Sequence, residues 1–256
     1  MADRGAPLLE AREVTVRFGG LTAVDAVSAT LHAGELVGII GPNGAGKTTF
    51  FNAISGVLAP TAGRLLVAGD DLTGKPPHRF AHHGLARTFQ TPRVFGDMEV
   101  AANIDFGLRF AGRRAREAVP WALRDVPQIL QLIGLERQAA LPARAVTPSQ
   151  QRLLEVGMAL ATRPRLLLLD EVAAGLTESE VENMALLVRK LRDELGLAVV
   201  WIEHAVRTLL RHVERVIVLH QGRKIADGTP AEVVRDAGVV EAYLGDEMVA
   251  PGEEAG

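Results

Sequence analysis

Residues 34–57 read GELVGIIGPNGAGKTTFFNAISGV, and this stretch decides the fold. The short apolar run GELVGII (34–40) has the composition of a buried strand, and the pattern from Thr48 to Val57 suits a helix. Between them Gly41-Pro42-Asn43-Gly44-Ala45-Gly46-Lys47-Thr48 fits G-x-x-x-x-G-K-[ST] at every fixed position. Glycines let the backbone curl until successive N–H groups face one anion, and the helix N-terminus adds a positive partial charge. Gly41, Pro42, Asn43, Gly44, Ala45, Gly46, Lys47, Thr48 and Thr49 are therefore candidate phosphate-binding residues. Lys47 is placed for β- and γ-phosphates, and the Thr48 hydroxyl for Mg²⁺. An ordinary glycine turn before a helix would serve none of this; the strand–loop–helix context selects the phosphate reading.

A nucleotide site needs acidic residues at the end of a second buried strand. RLLLLDE (165–171) supplies them, with four leucines delivering Asp170 and Glu171 to the strand's C-terminal edge, where α/β sheets place ligands. Asp170 is a candidate to hold Mg²⁺ through water, and Glu171 to polarise an attacking water.

Outward from these motifs, strand patterns occur at LLEAREVTVRF (8–18), GRLLVAGDDL (63–72), LARTFQ (85–90), LAVVWIEH (197–204), ERVIVLHQG (214–222) and RKIADG (223–228). Helical patterns occupy 178–195, 205–211 and 230–236, and dominate from about Thr91 to Thr162. The alternation implies an α/β class with a mainly parallel sheet, into which a helical block is inserted. That divides the chain into a core (1–90 and 163–245), a helical subdomain (91–162) and a flexible acidic tail (246–256).

Bulk properties limit the alternatives. The chain has 256 residues, 48% hydrophobic and 23% charged, so it suits a globular protein. A net charge of −3 gives no argument for a nucleic-acid partner, and with no cysteine there is no disulfide or thiolate chemistry. No signal peptide or membrane-spanning stretch is legible, so a role at the membrane is expected to run through a partner. The pair His82-His83 invites a metal reading, but adjacent helical residues diverge, and the pair reads as surface. The basic segment RRAREAVPWAL (113–123) reads as a solvated helix with one packed face rather than a site for RNA or lipid.

With these motifs in this order the sequence resembles an ABC-transporter ATPase subunit over nearly its whole length. Gln90 in RTFQ matches that family's Q-loop, His204 in WIEH its switch histidine, AAGLT (173–177) its D-loop, and Phe18 the aromatic that stacks on adenine. ARTFQTPRVF, AAGL, IEH and EAYLG resemble the branch that imports branched-chain amino acids and related amides or urea. The resemblance implies an ABC-type P-loop core with an N-terminal antiparallel β portion and a helical signature subdomain. It implies ATP and Mg²⁺ as cofactors, with Thr48, Gln90 and Asp170 at the metal, and Lys47, Gln90, Glu171 and His204 in catalysis. It further implies a second ATP-binding subunit and permease subunits contacted near 91–101. A periplasmic or extracellular binding protein is an indirect partner, and the chain sits peripherally on the cytoplasmic face of the membrane.

The signature, usually Leu-Ser-x-Gly-Gln, here reads Val146-Thr147-Pro148-Ser149-Gln150. Thr147, Ser149 and Gln150 are the residues expected at the opposite subunit's ATP. Ser149 puts a Cβ where glycine lets the backbone approach phosphate. Val172, Thr177 and Ala205 also depart from the common pattern. The set implies an asymmetric pair, in which this chain contributes a full phosphate-loop half-site and a weakened signature. The competing readings are a nucleotide-gated clamp that scarcely hydrolyses ATP, and a soluble non-transport ATPase of the same family.

Overall fold

The computed structural model describes residues 5–110, 123–203 and 205–244. His204, the tail after 244 and nearly all of the basic segment lie outside the described residues.

Among the described residues, ten strands form two sheets. β1 (Leu9–Phe18) pairs antiparallel with β2 (Leu21–Leu31) and with β4 (Ala62–Val67), and β4 with the two-residue β5 (Asp70–Asp71). The larger sheet has the order β10-β9-β3-β8-β7-β6. Its strands are β3 (Leu36–Ile40), β6 (Leu85–Arg87), β7 (Leu166–Asp170), β8 (Ala198–Ile202), β9 (Arg215–His220) and β10 (Arg223–Gly228). All its pairings are parallel except that of β10 with β9.

β3, β7 and β8 are buried at every position, which is why their sequences are continuous apolar runs rather than alternating ones. Alternation persists in which core each residue joins. Val37, Ile39, Leu166 and Leu168 pack with Phe50 and Phe51 of α1 (Lys47–Ile54) and with Val14 and Val16 of the small sheet. Leu36, Ile40, Leu167 and Leu169 pack on the other face, against the remaining helices. The helix that follows the glycine loop is thus wedged between two sheets, and its N-terminus is fixed at the C-terminal edge of β3.

Between β6 and β7 the chain makes α3 (Val100–Phe110), α4 (Val126–Ile133) and α5 (Pro148–Ala161). α5 starts on a capping box: Thr147 caps Gln150, Gln150 returns to the Thr147 N–H, and Pro148 occupies the first helical position. A short α2 (Pro77–His82) precedes β6. α6 (Glu178–Leu195), α7 (Val206–His212) and α8 (Pro230–Arg235) follow β7, β8 and β10. α6 opens on a second capping box, from Thr177 to Glu180.

Four local readings change. β2 and α2 were not legible in the sequence pattern. The stretch 63–72 is two strands around a turn with Ala68 and Gly69 at positive φ. Residues 91–99 hold no helix, which begins only at Val100. Of the histidine pair, His82 is exposed, but His83 is tucked in: its Nε2 meets Asp70 Oδ2 at 2.9 Å and its Nδ1 the Arg79 carbonyl at 2.8 Å.

Candidate nucleotide and coupling sites

At the C-terminal edge of the large sheet lies a cleft of about 460 Å³, lined by Phe18, Leu21, Ala23, Asn43 through Thr49, Gln90 and Glu171. The glycine loop forms its floor, and only glycine satisfies two positions. A Cβ on Gly41 (φ 153°) would sit 2.1 Å from the Leu219 carbonyl oxygen, and one on Gly46 (φ 95°) 2.4 Å from that of Ala23. The loop is thereby packed between β9 and β2, and its residues from Asn43 to Thr49 line the cleft. Phe18, 52% exposed, stands at the rim as an open aromatic face.

Lys47 is buried, and its ammonium donates to the carbonyls of Gly41 at 2.6 Å and Pro42 at 3.1 Å. Burial pushes its pKa down, and the nearby Glu171 carboxylate works against that shift. This cation has lost most of its water, which sharpens its pull on an anion entering the loop.

The acidic pair has two distinct environments. Asp170 ends β7; its N–H donates to Thr88 Oγ1 at 3.1 Å, and its Oδ2 accepts from Arg87 Nη2 at 3.0 Å. Burial raises its pKa, Arg87 opposes the rise, and Glu171 adds to it. Glu171 is one residue past the strand with φ 50°, a left-handed backbone that costs a non-glycine residue about 1 kcal/mol or more. The turn lets its N–H donate to the Ile202 carbonyl at 3.0 Å, while its Oε2 accepts from Gln90 Nε2 at 2.7 Å. With its N–H group so engaged, Gln90 has its carbonyl oxygen left for a cation.

No cluster of three or more His, Cys, Asp or Glu able to hold a metal occurs among the described residues. What is present is a set of hard oxygen donors: the Thr48 hydroxyl and the Gln90 side-chain carbonyl at the cleft, and the Asp170 carboxylate, which is buried and not part of the cleft lining. That set fits Mg²⁺, which is bound by one or two carboxylates and completed by phosphate oxygens and water.

The signature residues do not line this cleft. Thr147, Ser149 and Gln150 form the first turn of α5, where the Thr147 and Ser149 hydroxyls lie 2.9 Å apart. Ser149 also donates toward Glu180 of α6 and helps hold that carboxyl below its ordinary range, after the Thr177 backbone. The candidate site residues therefore fall in two separate places on the chain, the cleft and the start of α5.

Four residues that the sequence pattern did not single out tie the parts together. Arg152 Nη1, from α5, donates to the carbonyls of Gln90 at 3.2 Å and Glu171 at 3.1 Å. Glu203, buried beside His204, accepts from Ala173 N at 2.7 Å and Trp201 Nε1 at 3.0 Å, fixing the segment after Glu171 to the end of β8. Glu155, buried on α5, accepts from the N–H groups of Phe89 at 3.2 Å and Arg93 at 3.0 Å. Arg87 holds Asp170. Glu155 and Glu203 are charges in or at the end of an apolar run, and that was the available signal for them. Glu155, Arg87, Phe89, Arg93 and Met158 line a second groove of about 550 Å³.

Comparison with known proteins decides the family. The family profile described as ABC transporter matches residues 24–174, more than half of the chain. The chain belongs to the ATP-binding subunits of ABC transporters. A second profile, described as branched-chain amino acid ATP-binding cassette transporter, matches residues 223–249 of this ABC subunit. It is 37% identical to the high-affinity branched-chain amino acid transport ATP-binding protein BraF of Pseudomonas aeruginosa, covering 94% of this chain and 98% of BraF. Identity to LivG of Escherichia coli K12, with the same description, is also 37%, at the same coverage. Among solved structures, the ADP conformation of the ABC cassette MJ1267 superposes with a TM-score of 0.81 at 29% identity, covering 94% of this chain and all of that one. The ABC fold expected from the sequence is therefore present. This ABC subunit binds nucleotide and is an ATPase coupled to transport. No helix among its described residues is long and apolar enough to cross a membrane.

Proposed function

We propose that the subunit energises an importer of branched-chain amino acids or related small polar solutes from the cytoplasmic face of the membrane, through one ATP in the 460 Å³ cleft and a second at its signature edge. The observation that carries the nucleotide assignment is the convergence of Lys47, Gln90 and Glu171 on the glycine loop. The cargo assignment rests on the likeness to BraF and LivG.

Adenine stacks on the open face of Phe18, and loop N–H groups between Asn43 and Thr49 hold the phosphates, Pro42 having no N–H to give and Ala45 N donating to the Pro42 carbonyl at 3.1 Å. Lys47 exchanges its two loop carbonyls for β- and γ-phosphate oxygens, a partner of opposite charge for a dehydrated cation. Thr48, Gln90 and Asp170 would hold Mg²⁺, which would supply charge neutralisation at the phosphates. Glu171 orients and polarises the attacking water, and Gln90 reports that geometry to the chain beyond it through their hydrogen bond. His204 orients the γ-phosphate and water.

The signature edge completes a partner subunit's cleft. Thr147 offers a hydroxyl to the partner's γ-phosphate and Ser149 its first-turn N–H, while Gln150, whose own N–H is taken by the Thr147 cap, holds that turn by accepting from the Thr147 N–H. Closure of the pair on ATP shifts permease subunits between states, which requires a difference in affinity of a few kcal/mol. The permease docks at residues 91–101 and in the adjoining groove, so its motion meets Phe89, Arg93 and Glu155 one step from Gln90. A periplasmic or extracellular binding protein delivers the cargo.

Steady-state ATP turnover by wild type and Glu171→Gln tests the assignment. Loss of the water-polarising carboxylate should lower turnover by about 10³-fold and leave ATP binding intact. Equal turnover in the two would favour the clamp reading, for which the Ser149 signature is the specific observation.

A further inference from the structure

We infer that Arg87 is a positioning residue for the cation, holding one oxygen of Asp170 so that the other is presented to Mg²⁺. The inference rests on Asp170 serving the cation, as proposed above.

Every nitrogen of the guanidinium is committed. Nη2 donates to Asp170 Oδ2 at 3.0 Å, and Nη1 to Asn52 Oδ1 and Ser55 Oγ, both at 2.8 Å. Nε donates to the Thr88 carbonyl at 3.3 Å. Its carbon lies 5.2 Å from the Phe51 ring centre and 4.7 Å from that of Phe89, so the plane is held between aromatic faces. Both partners of the ion pair are nearly out of water, with 10% and 5% of their side-chain surfaces exposed.

Such a pair is a poor way to gain stability, because desolvation offsets much of the attraction. It is an effective way to fix a direction. Thr88 takes the Asp170 N–H and Arg87 takes its carboxylate, so two consecutive residues at the end of β6 clamp both ends of the same aspartate. The same arginine is anchored on α1, the helix that begins with Lys47 and Thr48. Arg87 therefore sets the distance between the hydroxyl and the carboxylate expected to share one cation. Lysine cannot do this, since a single ammonium cannot span Asn52, Ser55 and Asp170 in a plane.

The test is equilibrium ATP binding to the full chain in a Glu171→Gln background, with excess EDTA and across a Mg²⁺ titration. Arg87→Met should leave affinity for ATP in EDTA within about twofold, and raise the Mg²⁺ needed for half-maximal tightening by about tenfold or more, the usual size of an outer-shell effect on metal affinity. Arg87→Lys should fall between, and it decides the question if the methionine variant does not fold. An unchanged Mg²⁺ requirement, or an equal loss of affinity with and without Mg²⁺, overturns the proposal and leaves Arg87 a packing residue. If the parent's ATP binding ignores Mg²⁺ altogether, the cation site itself falls, a result distinct from a parent that responds and an Arg87 variant that matches it.

Discussion

The phosphate loop and the signature are both turns at the start of a helix, yet they answer to different constraints. In the loop, Gly41 and Gly46 are demanded from within the chain, because a Cβ at either would enter the backbone of a neighbouring strand. At the signature, Ser149 sits in the first turn of α5, half-exposed, in a right-handed helix that accepts a side chain. Nothing inside this subunit requires glycine there. In the proposed pair the requirement at that position comes from the ATP of another chain, so it can vary without cost to this fold. On that reading one edge of the molecule is specified by its own packing, and the other by a partner.

Gly46→Ala probes the first half of that contrast and should have the largest effect. The left-handed backbone costs alanine about 1–2 kcal/mol, and its Cβ collides with the Ala23 carbonyl, which a backbone group cannot yield cheaply. ATP affinity measured by titration calorimetry should fall by about a hundredfold or more, roughly 3 kcal/mol. Near-normal affinity would mean that the loop tolerates a shifted path, and the contrast would lose its sharper side.

The joint between the two edges is Glu155. It lies on α5, the helix that carries the signature, and grips the backbone on either side of the Thr91 segment that follows Gln90. Burial pushes its carboxyl up to about 7, more than the bonds from Arg93 and Phe89 and the nearby Arg152 and Arg93 charges pull it down. The folded chain thus keeps a proton that the unfolded chain releases near pH 4.5. The associated stability is full below that pH and drains away as pH rises through 7, by on the order of 2–3 kcal/mol. Melting curves at pH 5 and pH 8 should show the wild type losing roughly 5 °C more than Glu155→Gln, in which no proton is exchanged. Parallel losses would show that the joint does not titrate in the folded state.

How far these features could be read from the sequence follows the same division. The strands β3, β7 and β8 announce themselves because burial on both faces leaves no polar position, and the loop because glycine is irreplaceable there. β2 escaped because its alternation is broken: Ala26 lies at positive φ, and Val24 and Val27 are both buried though three residues apart. A bulge of that kind shifts the register against β1 and erases the period of two. Arg87 and Glu155 escaped for another reason. A charged residue in an apolar run is informative only once its partner is known, and those partners, Asp170 and the Phe89 amide, lie 83 and 66 residues away in sequence. Of Gln90 and Glu171, 81 residues apart, the glutamate is legible as the acidic end of a buried strand, and the glutamine only through the family resemblance.

Ser149→Gly gives the smallest effect and divides the two edges most cleanly. Inside the subunit it removes a Cβ and a hydroxyl from a half-exposed first helical turn, giving up the contacts to the Thr147 hydroxyl and Glu180, and with glycine there costing about 1 kcal/mol the melting temperature should move by only a few degrees. The Thr147 cap and the Pro148 start remain, and the helix keeps its origin. Between subunits the consequence is of a different kind. If the serine Cβ holds the α5 amides back from the partner's phosphate, restoring glycine returns a donor to a charge that grows in the transition state. Full loss of such a donor is worth about 10²–10³ in rate, so relief of a partial loss should raise turnover of the isolated homodimer about tenfold. Steady-state turnover with Glu171→Gln as the zero measures it. A rise with an unmoved melting temperature would mean that Ser149 is a constraint between chains, and that the working pair includes a different subunit with glycine at that position. An already substantial rate that glycine does not improve would mean that Val146 to Gln150 serves as it stands, and that the two edges of this chain are equal after all.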